Sequence, residues 1–216
     1  MRDVLPNGLN TSLGLSQRAR LKALRAALRA ARRKLSATQQ RQAAQSVHRH
    51  LCCDPIYQRA NRLGIYLAND GEVDLLTAVF SSGEAHRTLY LPLLSDALLP
   101  WEPTRLLFQP FDHGVSKLTK NRYGIEEPTY RPSNVLSAAM LDMVLLPLVG
   151  FDREGNRLGM GKGYYDRTFA DSRVRWRRPK LLGIAHSLQQ VGRLPHTAWD
   201  VPLDGIVTEK ELIWWR

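Results

Sequence analysis

Between residues 62 and 209 the chain keeps returning to one pattern: a short apolar run bounded by turn residues or by a helical stretch. RLGIYLA (62–68), TLYLPLL (88–94, closed by Pro92), RLLFQP (105–110), DMVLLP (142–147), KLLGIAH (180–186) and DGIVTE (204–209) read as strands. Residues 73–80, and those after Gly163 up to Phe169, read as helices. Runs that are apolar on both faces need cover on both faces. Strands alternating with helices therefore predict an α/β layered fold, with a central mixed, largely parallel sheet flanked by helices.

Two helices precede that pattern. Leu21, Leu24, Leu28, Ala31 and Leu35 recur at 3-4-3-4 spacing, one apolar face of a helix starting near Ser16 as N-cap. Its other faces carry Arg18, Arg20, Lys22, Arg25, Arg29, Arg32, Arg33 and Lys34, with no acid. Most of these charges, Arg29, Arg32 and Arg33 among them, are expected in solvent. Ser36 and Gln39 then form a capping box, opening a helix with Ala43, Ala44, Val47 and Leu51 inward. Residues 1–15 read as a frayed extension without the apolar core of a signal peptide, and residues 16–216 as a single domain.

The charge balance points to an anionic partner. Lys+Arg number 31 against 20 Asp+Glu, a formal net charge of +11. A nucleic-acid-binding module is one reading, but such modules interleave aromatics with their cations and the basic helix holds none. The only cysteines, Cys52 and Cys53, are adjacent and lack zinc spacing, which fits a reducing, cytoplasmic setting. No apolar run reaches the roughly 18 residues of a membrane span, so no membrane partner is expected.

The densest chemistry lies in RLGMGKGYYDR, residues 157–167. Glycines at 159, 161 and 163 let a backbone approach an anion and turn its N–H groups toward it. Arg157 and Lys162 add charge, and Asp166 sits where a carboxylate can hold Mg²⁺ against phosphates. The loop follows the strand 142–147, and ligands of open α/β sheets sit beyond strand carboxyl ends. A P-loop needs Ser or Thr after its Lys, where this chain has Gly163. The Rossmann spacing is GxGxxG, where this chain has GxGxG.

The stretch LLPLVGFDREGNRLGMGKGYYDR resembles the signature of the 5-formyltetrahydrofolate cyclo-ligase (5,10-methenyltetrahydrofolate synthetase) family. LKALRAALRAARRKLS, YLANDGEVD, NRYGIEEP and LPHTAWDVPLDGIVTE agree in order, so the likeness spans about residues 21–209. It implies ATP- and Mg²⁺-dependent conversion of 5-formyltetrahydrofolate to 5,10-methenyltetrahydrofolate. By the same resemblance, nucleotide contacts fall on Lys22 and Arg25 and on Arg157, Leu158, Gly159, Met160, Gly161, Lys162, Gly163, Tyr164 and Tyr165. Among these, Lys162, Arg157 and Tyr165 are the catalytic candidates. The family places Lys where this chain has Leu21; here the basic residue is Lys22. Metal contacts fall on Asp166 and Asp200. Folate contacts fall on Leu67 and Glu72 and on residues 160–164, with Tyr123 a stacking candidate. Glu72 suits either the pterin or the N10 proton. The expected partner is a folate, with or without a polyglutamate tail, and the expected state a monomer.

Overall fold

The computed structural model describes residues 14–81, 87–95, 105–112, 114–170 and 178–215. Residues 1–13 of the expected extension, and residues 96–104 between two expected strands, lie outside them. Helix α1 (Leu15–Arg33) starts on Gly14, not Ser16. Gly14 is extended, and its carbonyl accepts from Gln17 and Arg18 N–H, so backbone alone caps the helix. Helix α2 (Ala37–Cys52) carries the expected capping box, with Gln39 N–H donating to Ser36 Oγ and Ser36 N–H to Gln39 Oε1. Its four expected inward residues are all buried. Helix α3 (Pro55–Arg59) is capped by Asp54, and α4 (Leu75–Ser81) follows Asp74, which accepts from Thr77.

The strands in chain order are β1 (Arg62–Gly64), β2 (Thr88–Leu94), β3 (Leu106–Pro110), β4 (Leu118–Lys120), β5 (Glu126–Pro128), β6 (Leu136–Ser137), β7 (Met143–Pro147), β8 (Gly150–Phe151), β9 (Arg157–Leu158), β10 (Lys180–Ile184), β11 (Gly205–Val207) and β12 (Leu212–Trp214). Helix α5 (Tyr164–Phe169) lies between β9 and β10. Among the described residues, one sheet has the order β12-β11-β10-β7-β1-β2-β3-β6. Its middle, β11 through β2, is parallel; β3, β6 and β12 pair antiparallel at the margins. This is the mixed, largely parallel sheet that the apolar runs predict.

Successive residues along the strands serve opposite faces. Leu145, Leu182 and Ile184 pack with α2 and α4, while Val144, Leu146 and Leu181 pack with Phe169 of α5. Pro92 does not close β2. Leu89 O faces β3 and Tyr90 O faces β1, so by alternation Pro92 N faces the β1 side, beyond the last β1 partner at Tyr90. Its missing N–H ends the β1 ladder there and leaves the β2–β3 pairing, which runs on to Leu94, intact. Sequence periodicity misses β12 and the hairpins β4–β5 and β8–β9, whose strands of two or three residues are too short to show it.

The topology fixes where a ligand can sit. From β1 the chain moves to β2 on one side, then returns to β7 on the other. The carboxyl ends of β1 and β7 thus flank a topological switch point, the usual crevice of such sheets. One exit leads to the turn at residues 69–72 and the other, through β8 and β9, to the glycine loop.

Candidate active site

The turn after β1 is built on Asp70 (φ +55°) and Gly71 (φ +78°), closed by Glu72 N–H to Asn69 O at 3.0 Å. Two central residues at positive φ are the type I′ pattern. A side chain at Gly71 would meet Arg32 O at 3.2 Å, so α1 packs directly on this turn. Burial lowers the His186 pKa, and its Nε2 lies 3.2 Å from Gly71 O.

Arg32 corrects the sequence reading. It is not on a solvated face but completely buried. Its Nε donates to Asp70 O (2.8 Å), Nη1 to Leu148 O (3.0 Å), and Nη2 to Asp70 Oδ2 (3.0 Å) and Glu72 Oε1 (3.3 Å). It therefore bridges the exits of β1 and β7. Arg29 and Arg33 also pair with Asp70, at 2.6 and 3.2 Å, so three cations of the basic helix converge on one carboxylate. Burial works against the Asp70 charge, but hydrogen bonds from Arg29 and Arg32 outweigh it and hold its pKa down. Ala31, expected inward, is exposed. The buried stripe runs Leu21, Leu28, Arg32, and half-buried Arg25 shares its 4-3-4 spacing. A cation recurring at that spacing within an apolar stripe was the available signal.

Glu72 is nearly buried, and burial is the largest influence on its carboxyl, raising its pKa. The Arg32 charge and the Asn69 N–H (3.2 Å to Oε2) oppose this without cancelling it. Tyr165 of α5 senses both Glu72 and Arg157; burial first, then the Glu72 charge, push its phenol well up. It stays protonated at neutral pH, a donor and not a base. Leu67 packs at the margin of the core under this turn.

The glycine loop meets α1 one step away. Arg25 Nε donates to Gly159 O at 2.8 Å, and among the described residues its Nη1 and Nη2 have no protein partner. Burial lowers its pKa, the mark of a guanidinium short of solvent and of counter-charge. Gly161 (φ +88°) lies against that guanidinium, and Gly163 (φ +67°) is the N-cap of α5. Lys162 is exposed, with Nζ 5.2 Å above the Tyr123 ring and no acidic partner among the described residues. Tyr123 and Tyr164 share a hydroxyl contact of 2.6 Å, with Arg122 also on Tyr164 Oη (3.1 Å). Met160 is exposed, Leu158 buried, and Lys22 exposed on the flank of α1.

Arg157 pairs with Asp166 at 2.6 Å and is almost buried, yet its Nε has no partner. Asp166 Oδ1 also accepts Val201 N–H at 3.1 Å. Val201 follows Asp200, so the backbone next to Asp200 meets the Asp166 carboxylate. Asp200 Oδ2 caps its own turn through Thr197, leaving Oδ1 without a partner among the described residues, as is Asp166 Oδ2. No cluster of three or more His, Cys, Asp or Glu suited to a metal occurs among the described residues. Mg²⁺ needs no such cluster, because it takes one or two carboxylates and completes its shell with phosphate oxygens and water. The oxygens present fit that demand.

A sequence model of the 5-formyltetrahydrofolate cyclo-ligase family matches residues 17–209. The chain belongs to this family. It is 35% identical over 190 residues to the 5-formyltetrahydrofolate cyclo-ligase of Escherichia coli K12, covering 87% of this chain and all of that one. It is 37% identical over 186 residues to the cyclo-ligase of Haemophilus influenzae, covering 85% and 95%. The NMR structure of Aquifex aeolicus 5,10-methenyltetrahydrofolate synthetase superposes with a TM-score of 0.73 at 31% identity, covering 90% of this chain and 92% of that one. The cyclo-ligase family thus accounts for the fold. No helix among the described residues is long and apolar enough to cross a membrane.

Proposed function

We propose that the chain is an ATP- and Mg²⁺-dependent 5-formyltetrahydrofolate cyclo-ligase that forms 5,10-methenyltetrahydrofolate, ADP and phosphate. The observation that carries this reading is the pairing at one switch point of two unlike half-sites. On one side is a glycine loop with cations short of counter-charge, Arg25 and Lys162. On the other is Glu72, a nearly buried carboxylate held by Arg32 and by Asn69 N–H, which can accept hydrogen bonds from folate N–H groups.

The chemistry needs both halves. A formamide oxygen leaves poorly, so it first attacks the γ-phosphorus of ATP; the O–P bond forms, the bond to the β-phosphate oxygen breaks, and ADP departs. N10 then bonds to the formyl carbon and loses its proton, and the C–O bond breaks with release of phosphate. Arg25, Lys162 and the N–H groups of residues 158–165 hold the phosphates and neutralise developing charge. Lys22 adds long-range attraction from the same helix. Arg157 orients Asp166 and presents its unpaired Nε inward. Asp166 and Asp200 would hold Mg²⁺, which would supply positive charge against the phosphates. Glu72 accepts an N–H from the folate, Leu67 gives an apolar wall, and residues 160–164 with Tyr123 border the ring. Tyr165, a neutral phenol, lends a hydrogen-bond donor between the halves. The reading includes a cytosolic monomer, consistent with Cys52 and Cys53 standing outside any disulfide among the described residues.

The test is optical. Purified protein with 5-formyltetrahydrofolate and Mg-ATP should raise methenyl-folate absorbance, and omission of ATP or chelation of Mg²⁺ should abolish the rise. A flat trace with all components present refutes the assignment. Nothing in the site favours nucleic acid, since the arginines nearest the C-terminus of α1 are spent on Asp70.

A further inference from the structure

We propose that Arg32 is a positioning residue of this site: from the buried point where β1 and β7 part, it orients the Glu72 carboxylate toward the folate. The inference rests on the reading of Glu72 as a folate contact.

The hydrogen-bond pattern carries it. A residue needed only to pin two strand exits would be satisfied by Asp70 O, Leu148 O and the Asp70 carboxylate. Arg32 spends a further contact on Glu72 Oε1, while Asn69 N–H holds Oε2. Glu72 is thus gripped at both oxygens, one by a fully buried side chain and one by its own turn. A carboxylate fixed in this way presents its remaining lone pairs in one direction. Seven residues earlier, on the same face of α1, Arg25 grips Gly159 O. Two helical turns are about 10 Å. One rigid helix therefore sets the spacing between the turn that holds Glu72 and the loop assigned to the phosphates. In-line transfer demands that spacing be held.

The charge environment agrees. Asp70 on the same turn, and Tyr66 and Tyr165, sense or influence Glu72 without a positive charge. Arg29 senses Glu72 but hydrogen-bonds Asp70, and His186, its pKa lowered by burial, lies against Gly71 O. Arg32 alone among these touches the Glu72 carboxylate with a cation.

The test uses two substitutions. Arg32→Lys keeps a charge but cannot span the four acceptors; Arg32→Gln removes the charge. Folding is checked by urea unfolding, binding of a non-hydrolysable ATP analogue by calorimetry, and kcat and KM for 5-formyltetrahydrofolate across pH 5–9. Arg32→Lys should raise the folate KM or lower kcat by about tenfold or more, the scale of a misplaced reacting group. Its acidic limb should stay near the native one. Arg32→Gln should move that limb to higher pH by about one unit or more, since Glu72 loses its opposite charge. Analogue binding should change little in either. If both variants keep the native limb and folate KM while Glu72→Gln abolishes the limb, Arg32 is only structural and the proposal fails with the Glu72 reading intact. If Glu72→Gln leaves folate use and the limb unchanged, the Glu72 reading itself fails. Should Arg32→Gln not fold, the double variant of Arg32→Lys with Glu72→Gln decides. The lysine effect should vanish in the glutamine background, and additive effects overturn the proposal.

Discussion

The three glycines of the loop make unequal demands, and alanine at each separates conformation from ligand space. Gly161 and Gly163 sit at φ +88° and +67°, whereas Gly159 is not among the positive-φ residues. An L-residue in the left-handed region costs about 1–2 kcal/mol. At Gly163 the new methyl would come 3.0 Å from Arg167 Nη1, the movable end of a long side chain, so the backbone cost dominates. At Gly161 it would lie 3.7–3.9 Å from the Arg25 guanidinium, an ordinary contact that folds without clash but fills the space beside the cation. At Gly159 the only neighbour within 4 Å among the described residues is Arg157 Nη1 at 3.7 Å. Gly161→Ala and Gly163→Ala should each lose about 1–2 kcal/mol in urea unfolding. For a chain of this size that is about 2–8 °C in Tm. Gly159→Ala should stay within about 0.5 kcal/mol, like most substitutions that strain nothing. ATP-analogue affinity should fall most in Gly161→Ala, by about ten- to a hundredfold, where the methyl competes with a phosphate for Arg25. Equal destabilisation by all three alanines would refute the conformational argument. Unchanged analogue affinity in Gly161→Ala would refute the placing of phosphate beside Arg25.

Lys162→Ala should slow turnover by about a hundred- to a thousandfold at saturating substrates, the scale of one electrostatic stabiliser, and near-native turnover would remove Lys162 from the chemistry. Asp166→Ala and Asp200→Ala should each raise the Mg²⁺ concentration giving half-maximal turnover. An unchanged requirement in both would exclude them as ligands. Asp152→Asn should cost about 1–3 kcal/mol of stability, because burial of that carboxylate is outweighed by hydrogen bonds from Glu154, Asn156 and Leu194. Its pKa is lowered in the fold, so its contribution is complete above the unfolded value near 4 and is lost as pH falls through the folded one. Native stability should therefore decline below about pH 4 more steeply than that of the Asn variant in acid urea titrations.

The sheet was legible because its strands are buried on both faces and so appear as unbroken apolar runs. Helix ends were legible where a side chain does the capping, as at Ser36 and Gln39. They were not where the backbone caps itself, as at Gly14. Pro92 misled because the meaning of a missing N–H depends on which neighbour it faces, and that is a property of the assembled sheet. The site divides in the same way. The glycine loop is contiguous, so its composition announces it. The triad of buried Arg32 with Asp70 and Glu72 draws on α1 and on a turn 38 or more residues later.

Arg32 also shows why net charge is a poor guide to a binding surface. The basic helix invites a reading as a solvated, anion-seeking face, yet its buried stripe places one guanidinium where no water reaches. Removing one partner of such a buried pair typically costs about 3–5 kcal/mol, so the ionic stripe is retained only if something demands it. Hydrophobic residues of similar volume would pack the same interface at little or no penalty. What they would not supply is a fixed carboxylate at the mouth of β1, with Arg25 set two turns away against Gly159. The arrangement is better explained by the geometry of a reaction between two ligands than by the needs of the core. On that account, exchanging Arg32 and Glu72 together for Met and Leu, with Asp70 kept at its positive φ beside Arg29 and Arg33, should leave the fold standing while folate turnover is lost. A double variant that unfolds outright would instead return the pair to the core.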